Sequence, residues 1–582
     1  MLFGAAPVHV CGAEPLVSCV IAGLHADGRA ARRLAPEQLA TLKPGRVSTL
    51  ILADPPAPAD LIVAFAARSR QARSRFRPGS TRLILMHAAD PPPALPDLDL
   101  DERLRLETFA VENRAARALL RRWPLHLGMD PLFGQRPHLL LAGFASPAHA
   151  FLVQALRLIQ YGDARPLVTL LSEDPESLAA QIQSAYPQAG QIADLRFGDL
   201  AAPRLAGTPP VTLALVALND PDESGLAVAR LLARTIAAVQ RASSPILLEI
   251  GERKTTGDIA DWDGQIIPVS YLQEACRAGV LLDGIGDEVA QTIHEHYCDS
   301  IAAQGRDPVS EPAGQPWTRL ATSYRQANRH QADHLWAKLA VTDCRAVPED
   351  MVDAFAFAPL EVERLALIEH RRWAADRHLD GWSHAPVRDN ARKHHPQLIP
   401  YAELSEPMKD LDRFAVRGVP TLLARSGLGV VRLLIVGLSE SESVTISAKR
   451  LHGLTGQVLT RLLTRYPDRA LIIAATLTTP GARQVVRQAL ERAGAGLFWL
   501  LPRPIGELLD AQPEDGARRD LLELGARADR RITLAGEADL ARWFTERAEI
   551  VFALDGQGAQ ERAAKAIRPT PDWRRLDWNF EY

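Results

Sequence analysis

The sequence lacks several features that would assign it to a familiar class of protein. It has five cysteines among 582 residues, and no two of them stand in C-x-x-C spacing. It has no stretch of about 18 uninterrupted apolar residues, the length that a membrane-spanning helix needs. No basic residue precedes the first apolar run, so the pattern of a secretory signal is absent. We therefore expect reduced thiols, no membrane insertion and a cytoplasmic protein.

The chain also lacks a strong excess of either charge. It has 67 lysines and arginines against 70 aspartates and glutamates, a net charge of −3. Bulk electrostatics therefore gives no reason to expect a nucleic-acid partner or a membrane surface. With 47% apolar and 24% charged residues, the composition is typical of globular proteins. A chain of this length predicts about four domains.

The common catalytic and metal-binding motifs are absent or incomplete. There is no G-x-x-x-x-G-K-[ST] phosphate loop. The run Gly437–Ser441 begins like a nucleophile elbow but lacks the closing glycine. His370 and His378 lie about 80° apart around a helix, and Ala366 stands where the inverted zincin motif needs a histidine. The sequence predicts no catalytic residues and no metal site.

Short apolar runs alternate with helical stretches, which is typical of parallel sheets covered by helices. The predicted strands of the first unit are Val8–Cys11, Thr49–Ala53, Arg82–His87 and Leu106–Val111. Those of the second are Leu139–Gly143, Val168–Leu171, Thr212–Leu218 and Pro245–Ile250. Those of the third are Leu433–Val436, Ala470–Ala474, Gly496–Leu500, Ile532–Leu534 and Ile550–Leu554. We expect an α/β multidomain fold with tandem Rossmann-like parallel sheets in residues 1–132 and 135–285, and a similar sheet in 431–565.

The turn after the first strand of the second unit holds candidate cofactor-binding residues. Only Gly143 remains of the glycines that a dinucleotide-binding turn uses, and Ala145 adds a methyl group where a pyrophosphate would lie. Glu173 follows the next strand and is placed to accept a ribose hydroxyl. This unit resembles the NAD-binding Rossmann domain of Trk-type potassium-uptake regulators. The resemblance implies NAD binding, and a Rossmann shell that has lost its ligand is the alternative.

The third unit resembles the SLOG superfamily, which has lysine-decarboxylase-like nucleotide-binding folds. The residues that carry the resemblance are Gly481 and Ala482, the run Leu500–Pro504, and the strand and turn from Ala548 to Gly558. The family's Gly-Gly-Thr phosphate loop is replaced by Gln557–Gln560, so the backbone site for a phosphate is incomplete. Both a retained nucleotide site and a scaffold without ligand are consistent with this pattern.

The stretch from Glu361 to Arg413 carries the most specific pattern. It predicts a helix that ends at Gly381, a turn-rich segment, and a second helix that Ser405 can cap. The fixed-spacing residues are Glu369, His370, Trp373, Arg377, Gly381, Trp382, Arg388, Asp389, Lys393, His395, Pro396, Leu398, Pro400, Tyr401, Leu404, Lys409, Asp412 and Arg413. They resemble the RyR domain, a repeat named from ryanodine receptors and also found in bacterial proteins. His384 and Ala385 depart from the family pattern. We expect a mainly helical RyR domain over residues 286–430, with a single helix over Tyr324–Leu339.

Aromatic rings and cations in this stretch indicate a ligand site. Trp373 and Arg377 share a helix face, and Trp382, Arg388, Lys393, His395 and Tyr401 come from the segment expected to fold over it. Indole faces can hold a planar ring, and guanidinium groups can hold a phosphate. The predicted ligand is a nucleotide, with an ADP-ribose-like or cyclic nucleotide as the class that SLOG relatives imply. The alternative is that these rings are core and that Arg388 pins the loop.

Three functions remain open from the sequence. The first is a non-enzymatic regulatory protein that binds a nucleotide signal. The second is an enzyme that processes NAD or a nucleotide in one of the Rossmann-like units. The third is an interaction scaffold without a small ligand, and a protein partner or a homo-oligomer is left open. We expect the tail, residues 566–582, to dock onto the body because it is rich in tryptophan.

Overall fold

The structure is a computed structural model of the whole chain. It describes residues 7–42, 48–71, 81–88, 104–218, 223–251, 265–282, 287–303, 305–317, 319–352, 354–440, 447–512 and 514–554. The tail at 566–582 and the run Gln557–Gln560 lie outside the described residues. None of the helices in the described ranges has the length and apolar character that crossing a membrane requires.

The first unit is a parallel sheet with the strand order β2-β1-β3-β4-β5. Its elements are β1 (Val8–Gly12), α1 (Leu16–Ala26), β2 (Ala31–Arg33), α2 (Pro36–Thr41), β3 (Thr49–Ala53), α3 (Pro58–Gln71), β4 (Thr81–His87), β5 (Leu104–Ala110) and α4 (Val111–Arg122). The central strands are almost uniformly apolar because helices cover both faces of the sheet. The predicted α/β character of this unit is confirmed.

The second unit is a parallel sheet whose order, β8-β7-β6-β9-β10-β11, is the one that dinucleotide-binding folds use. Its elements are β6 (His138–Ala142), α5 (Ser146–Leu158), β7 (Leu167–Ser172), α6 (Pro175–Ala185), α7 (Ala189–Ile192), β8 (Asp194–Asp199), β9 (Leu213–Val216), α8 (Glu223–Thr235), β10 (Ile246–Glu249), β11 (Ile266–Val269), α9 (Tyr271–Ala275) and α10 (Ala278–Leu281). The direction of the chain across the sheet reverses between β6 and β9, where such folds bind their ligands.

Helices dominate the next segment. Its elements are α11 (Asp287–Ala303), α12 (Thr322–Asp333), α13 (Leu335–Ala340), β12 (Cys344–Pro348), α14 (Pro359–Leu379), β13 (Ser383–His384), β14 (His394–His395), α15 (Glu406–Arg417) and α16 (Val419–Ala424). The single helix expected over Tyr324–Leu339 is two helices that meet at His334. The expected hydroxyl cap is also wrong, because Ser405 lies at the N-cap of α15 without a side-chain hydrogen bond.

The third sheet has the order β12-β15-β16-β17-β18, and β19 pairs with β15. Its elements are β15 (Leu428–Glu440), α17 (Ala448–Arg465), β16 (Arg469–Ala475), α18 (Pro480–Arg492), β17 (Gly496–Leu501), α19 (Ile505–Asp510), α20 (Asp515–Ala526), β18 (Arg530–Thr533), α21 (Glu537–Arg547) and β19 (Ile550–Leu554). β12 joins it antiparallel, and the other pairings are parallel. Its strand order therefore differs from that of the second sheet.

One apolar core connects the first two sheets with the helical segment. It includes Val10 of β1, Leu141 of β6 and Leu365 of α14, all fully buried. Separate clusters fill the remaining faces of the three sheets. α14 therefore packs on the second unit through apolar contacts. This close packing fixes the position of the helix and of the side chains that it carries.

Candidate functional site

α14 begins and ends with local signals that fix its position in the chain. Pro359 stands at the first helical position, and the carboxylate of Glu361 accepts the N–H of Ala358 at 2.7 Å. At the other end, Gly381 has φ of +82°, which glycine adopts without strain. Its N–H donates to the His378 carbonyl at 3.0 Å.

The same helix end fixes the position of Trp382. The N–H of Trp382 donates to the carbonyl of Arg377 at 2.8 Å, which completes a Schellman motif with the bond from Gly381. This hydrogen bond turns the chain back beside the last turn of α14. Trp382 is therefore held next to Arg377 by backbone geometry.

Aromatic side chains form a row that starts at Trp382. The ring centroids of Trp382 and His395 are 6.1 Å apart, and those of His395 and Trp373 are 4.9 Å apart. The row continues over 5.7 Å from Trp373 to His370 and 5.9 Å from His370 to Tyr401. We call these residues the ring row. Both tryptophans are half-buried, so they combine ring contacts with an exposed part that a ligand can reach.

A cation lies at each end of the ring row. The Cζ atom of Arg377 is 5.6 Å from the ring centroid of Trp382, and Nζ of Lys409 is 5.7 Å from that of Tyr401. Both distances are within the range of a cation–π interaction. Lys409 also pairs with Glu406 at 3.2 Å. Arg377, in contrast, has no carboxylate partner among the described residues, so its guanidinium can donate hydrogen bonds to an anionic ligand.

His395 lies at the centre of the row in its neutral form. Its Nδ1 accepts the N–H of Gln397 at 3.2 Å, so the ring proton is on Nε2. Burial, together with the positive charges of Arg388 and Arg377, lowers the pKa of His395 to about 4. Two guanidinium groups therefore act on this imidazole, and an anion bound between them would be favoured by both.

The segment between β13 and β14 forms a concave surface beside the ring row. β13 pairs with β14 in parallel, and Asp389 and His394 exchange backbone hydrogen bonds. The concavity has a volume of about 580 Å³. It is lined by residues 385–390, Arg392 and His394. Arg388 therefore lines this concavity, whereas the two tryptophans lie outside it.

The predicted ligand-binding residues do not all meet at one point. Trp373, Arg377, Trp382 and His395 lie together, and Arg388 acts on His395. Lys393 has φ of +55° and donates from Nζ to the Asp380 carbonyl at 2.8 Å, at the end of α14.

Tyr401 lies at the far end of the row, separated from Trp382 by the other rings. Its hydroxyl donates to Glu363 at 3.3 Å. Burial, followed by the charge of Glu363, raises the pKa of Tyr401 to about 12. Tyr401 therefore contributes a neutral ring and not an anion.

His370 was predicted as part of the RyR pattern and was tested as a metal ligand, but it was not among the predicted ligand-binding residues. In the structure it joins the ring row and donates from Nε2 to the carbonyl of Ile399 at 2.8 Å. It lies three residues before Trp373, a spacing at which helix side chains are neighbours, so this signal could have found it. Within the described residues, no group of three or more His, Cys, Asp or Glu side chains is arranged to hold a metal ion.

The face of α14 away from the ring row carries buried charges. Asp376 accepts hydrogen bonds from Arg157 of α5 at 2.7 Å and from Arg372 at 2.6 Å. Glu369 pairs with Arg372 at 2.8 Å and with Lys338 at 2.7 Å. Burial alone would raise the pKa of Glu369, but the two cations outweigh burial and lower it to about 2. The pair between Arg157 and Asp376 connects the helix that carries Trp373 and Arg377 to the second unit.

The candidate cofactor-binding residues of the second unit follow two neighbouring strands, and Gly143 lies in a tightly packed turn. Gly143 has φ of +78°, and a Cβ atom there would lie 2.5 Å from the carbonyl oxygen of Ala217. The N–H of Ala145 donates to the same carbonyl at 3.3 Å. The hydroxyl of Ser146, in the first turn of α5, donates to the carboxylate of Glu112. The carboxylate of Glu112 therefore lies beside the first turn of α5, the helix whose N-terminus faces the phosphate in this fold. Glu173 is exposed.

A carboxylate of the third unit is bound by the N–H groups of a loop. Glu440 ends β15 and accepts backbone N–H groups of Thr476 at 2.8 Å, Leu477 at 2.7 Å and Thr479 at 2.9 Å. The hydroxyl of Thr478 donates to it at 2.8 Å. Leu477 has φ of +62°, and the loop leads into α18. Successive N–H groups in such a loop form an anion-binding concavity, which here binds a side chain of the chain.

The fold and the ring row define an α/β protein with a helical segment that carries a distinct motif. Comparison with protein-family models identifies that motif, because the RyR domain family matches residues 360–432. The match covers α14, the ring row, the concave surface and α15. The predicted RyR domain is therefore confirmed for this part of the chain.

Proposed function

We propose that this protein is a non-enzymatic regulatory protein that binds an anionic, nucleotide-type signal at the ring row. The observation that carries the proposal is the guanidinium of Arg377, which lies over Trp382 without a carboxylate partner among the described residues. A base can stack on the exposed part of an indole, at about 1–3 kcal/mol for each base. A guanidinium can then hold a phosphate through paired hydrogen bonds.

The α/β sheets favour a scaffold role over the enzymatic alternative. A cofactor phosphate at α5 would compete with the carboxylate of Glu112, and one at α18 would compete with Glu440. Displacing a carboxylate that already has hydrogen bonds costs the free energy of those bonds. We therefore assign NAD neither to Gly143 and Glu173 nor to the third unit.

The domain division is also a proposal. We propose Rossmann-like units at 1–132 and 135–285, an RyR unit at 286–430 and a third α/β unit at 431–565, with Trk-type and SLOG-like ancestry for the second and last. Separate sheets support the division. β12 joins the third sheet from within the helical unit, so we expect these two units to fold together. A cytoplasmic location is proposed from the cysteine content alone.

Calorimetric titration with ADP, ADP-ribose and cyclic AMP tests the proposed function. We expect at least one of them to bind wild type, and Trp382→Ala and Arg377→Gln each to weaken that binding by roughly tenfold or more, since each removes one recognition element. Phe414→Ala is the matched control, because Phe414 is an exposed aromatic residue of α15 outside the ring row.

Two results would contradict the proposal. One is that none of the three nucleotides binds at millimolar concentration, which would favour an interaction scaffold without a small ligand. The other is that Trp382→Ala and Arg377→Gln bind as tightly as wild type. Conversion of a nucleotide during the titration would favour the enzymatic alternative.

A further inference from the structure

The concave surface beside the ring row has an apolar floor that no part of the described chain covers. Val387 is 74% exposed, and Ala385 and Pro386 lie beside it in the lining. Asn390 supplies an amide on the same surface. A volume of about 580 Å³ is within the range of small-molecule sites. An apolar floor with one amide suits a second nucleoside, because the ring packs on the floor and the amide pairs with its polar edge.

Arg388 interacts with both the concave surface and the ring row. It lines the concavity, and its charge acts on His395 in the ring row. Its Nε donates to Oδ1 of Asn390 at 3.0 Å, and it has no carboxylate partner among the described residues. A guanidinium therefore stands between two surfaces that can each receive a ring, with Arg377 on the side of the tryptophans.

We propose that the ligand of this site is a dinucleotide whose two nucleosides are joined by phosphates. One base contacts the exposed indoles of the ring row, the phosphates lie between Arg377 and Arg388, and the second nucleoside packs on Pro386 and Val387. This inference rests on the proposed function and specifies its ligand. A mononucleotide would occupy the ring row and the cations but would leave the apolar floor in water.

The experiment compares ADP with diadenosine 5′,5′-diphosphate by calorimetric titration of the full-length protein. The second compound carries less negative charge, so electrostatic attraction alone would make it the weaker ligand. We expect it to bind about tenfold more tightly than ADP, as a modest apolar contact provides.

Val387→Ser tests the floor directly. We expect this variant to bind diadenosine diphosphate about as weakly as ADP and to bind ADP as wild type does. Val387 is exposed, so the substitution leaves the core intact. Val309→Ser, at a valine that is 52% exposed in another surface turn, is the matched control and should change neither affinity.

The outcomes separate this inference from the proposed function. If ADP binds in a Trp382-dependent way and diadenosine diphosphate binds no tighter, the dinucleotide is overturned while the nucleotide site stands. Tighter binding of diadenosine diphosphate that Val387→Ser leaves unchanged overturns the placement of the second nucleoside. If neither compound binds, the dinucleotide is overturned, and the proposed function fails as well if ADP-ribose and cyclic AMP also do not bind.

Discussion

The N–H of Trp382 donates to the carbonyl of Arg377 at 2.8 Å, and the guanidinium of Arg377 lies 5.6 Å from the indole centroid of Trp382. The backbone hydrogen bond that ends α14 therefore also places Trp382 beside Arg377, where the two side chains form a cation–π pair. An exposed pair of this kind contributes about 0.5–1 kcal/mol, too little to position two side chains by itself. The helix end supplies the position, and the pair offers a charged and an aromatic surface to a ligand.

Gly381→Ala should destabilise the protein by about 1–2 kcal/mol, because a left-handed conformation is strained for alanine. The φ of +82° at Gly381 requires that conformation. Urea denaturation measures the change. Gly453→Ala is the matched control, since Gly453 lies inside α17 with open space around it. That control should stabilise the protein by about 0.5–1 kcal/mol. Equal effects of both substitutions would contradict the assigned helix end.

Glu369→Gln should destabilise the protein by about 3–5 kcal/mol, because it leaves the buried ammonium of Lys338 without the carboxylate that pairs with it. Lys338 loses its ion pair, and Arg372 loses one of its two carboxylate partners but keeps Asp376. Glu403→Gln is the control, since Glu403 is exposed and forms no ion pair among the described residues. A loss below about 1 kcal/mol for Glu369→Gln would show that the buried network does not hold α14 in place.

The difference in stability between wild type and Glu369→Gln should also depend on pH. The pKa of Glu369 is about 2 when folded against 4.5 ordinarily. The unfolded chain therefore binds the proton more readily, and the stability from this group is present above about pH 4.5 and is lost as the pH falls towards 2. The advantage of wild type over Glu369→Gln should shrink by on the order of 3 kcal/mol across that range. A constant difference would be inconsistent with this pKa.

The pKa of His395 should report on both guanidinium groups. Its value of about 4 reflects burial and the charges of Arg388 and Arg377, so Arg388→Gln should raise it towards 6.5. NMR titration of the imidazole measures the shift. Arg392→Gln is the control on the same segment, because Arg392 pairs with Asp389 at 3.8 Å. If both variants titrate alike, Arg388 does not face the ring row.

Glu440→Ala should cost about 3 kcal/mol, because the N–H groups of Thr476, Leu477 and Thr479 would lose a charged acceptor. Glu491→Ala, at an exposed glutamate of α18, should change the free energy of unfolding by less than about 0.5 kcal/mol. Thermal and urea unfolding of the two variants provide the comparison. A neutral effect of Glu440→Ala would mean that water satisfies the loop equally well.

The ends of regular elements were predicted well where a local signal fixes them. Gly381 ends α14 as expected, and the predicted bounds of Thr49–Ala53 and Ile550–Leu554 agree with the structure. The expected Ser405 cap and the unbroken helix over Tyr324–Leu339 are wrong. Whether a serine caps a helix, and whether a helix is interrupted, depends on which neighbours pack against the segment. A local pattern does not contain that information.

The site was predicted in its residue types but not in its arrangement. Trp373 and Arg377 were placed on one helix face from their spacing, and Trp382 followed from the turn. The position of His370 between Trp373 and Tyr401 depends on how the segment after Pro396 folds back on α14. Likewise, nothing near Glu440 along the chain indicates that its carboxylate binds the N–H groups of a loop in another element.

The amino-acid sequence by itself determined the alternation of strands and helices, the RyR motif and the helix end that joins Arg377 to Trp382, because each arises from interactions between residues close along the chain. The tertiary structure decided the strand orders, the buried ion pair between Arg157 and Asp376, and the hydrogen bonds of Glu112 and Glu440 to turns of other elements. Those side-chain interactions join residues from 34 to 219 positions apart along the chain, and their free energies depend on burial that exists only once the chain has folded.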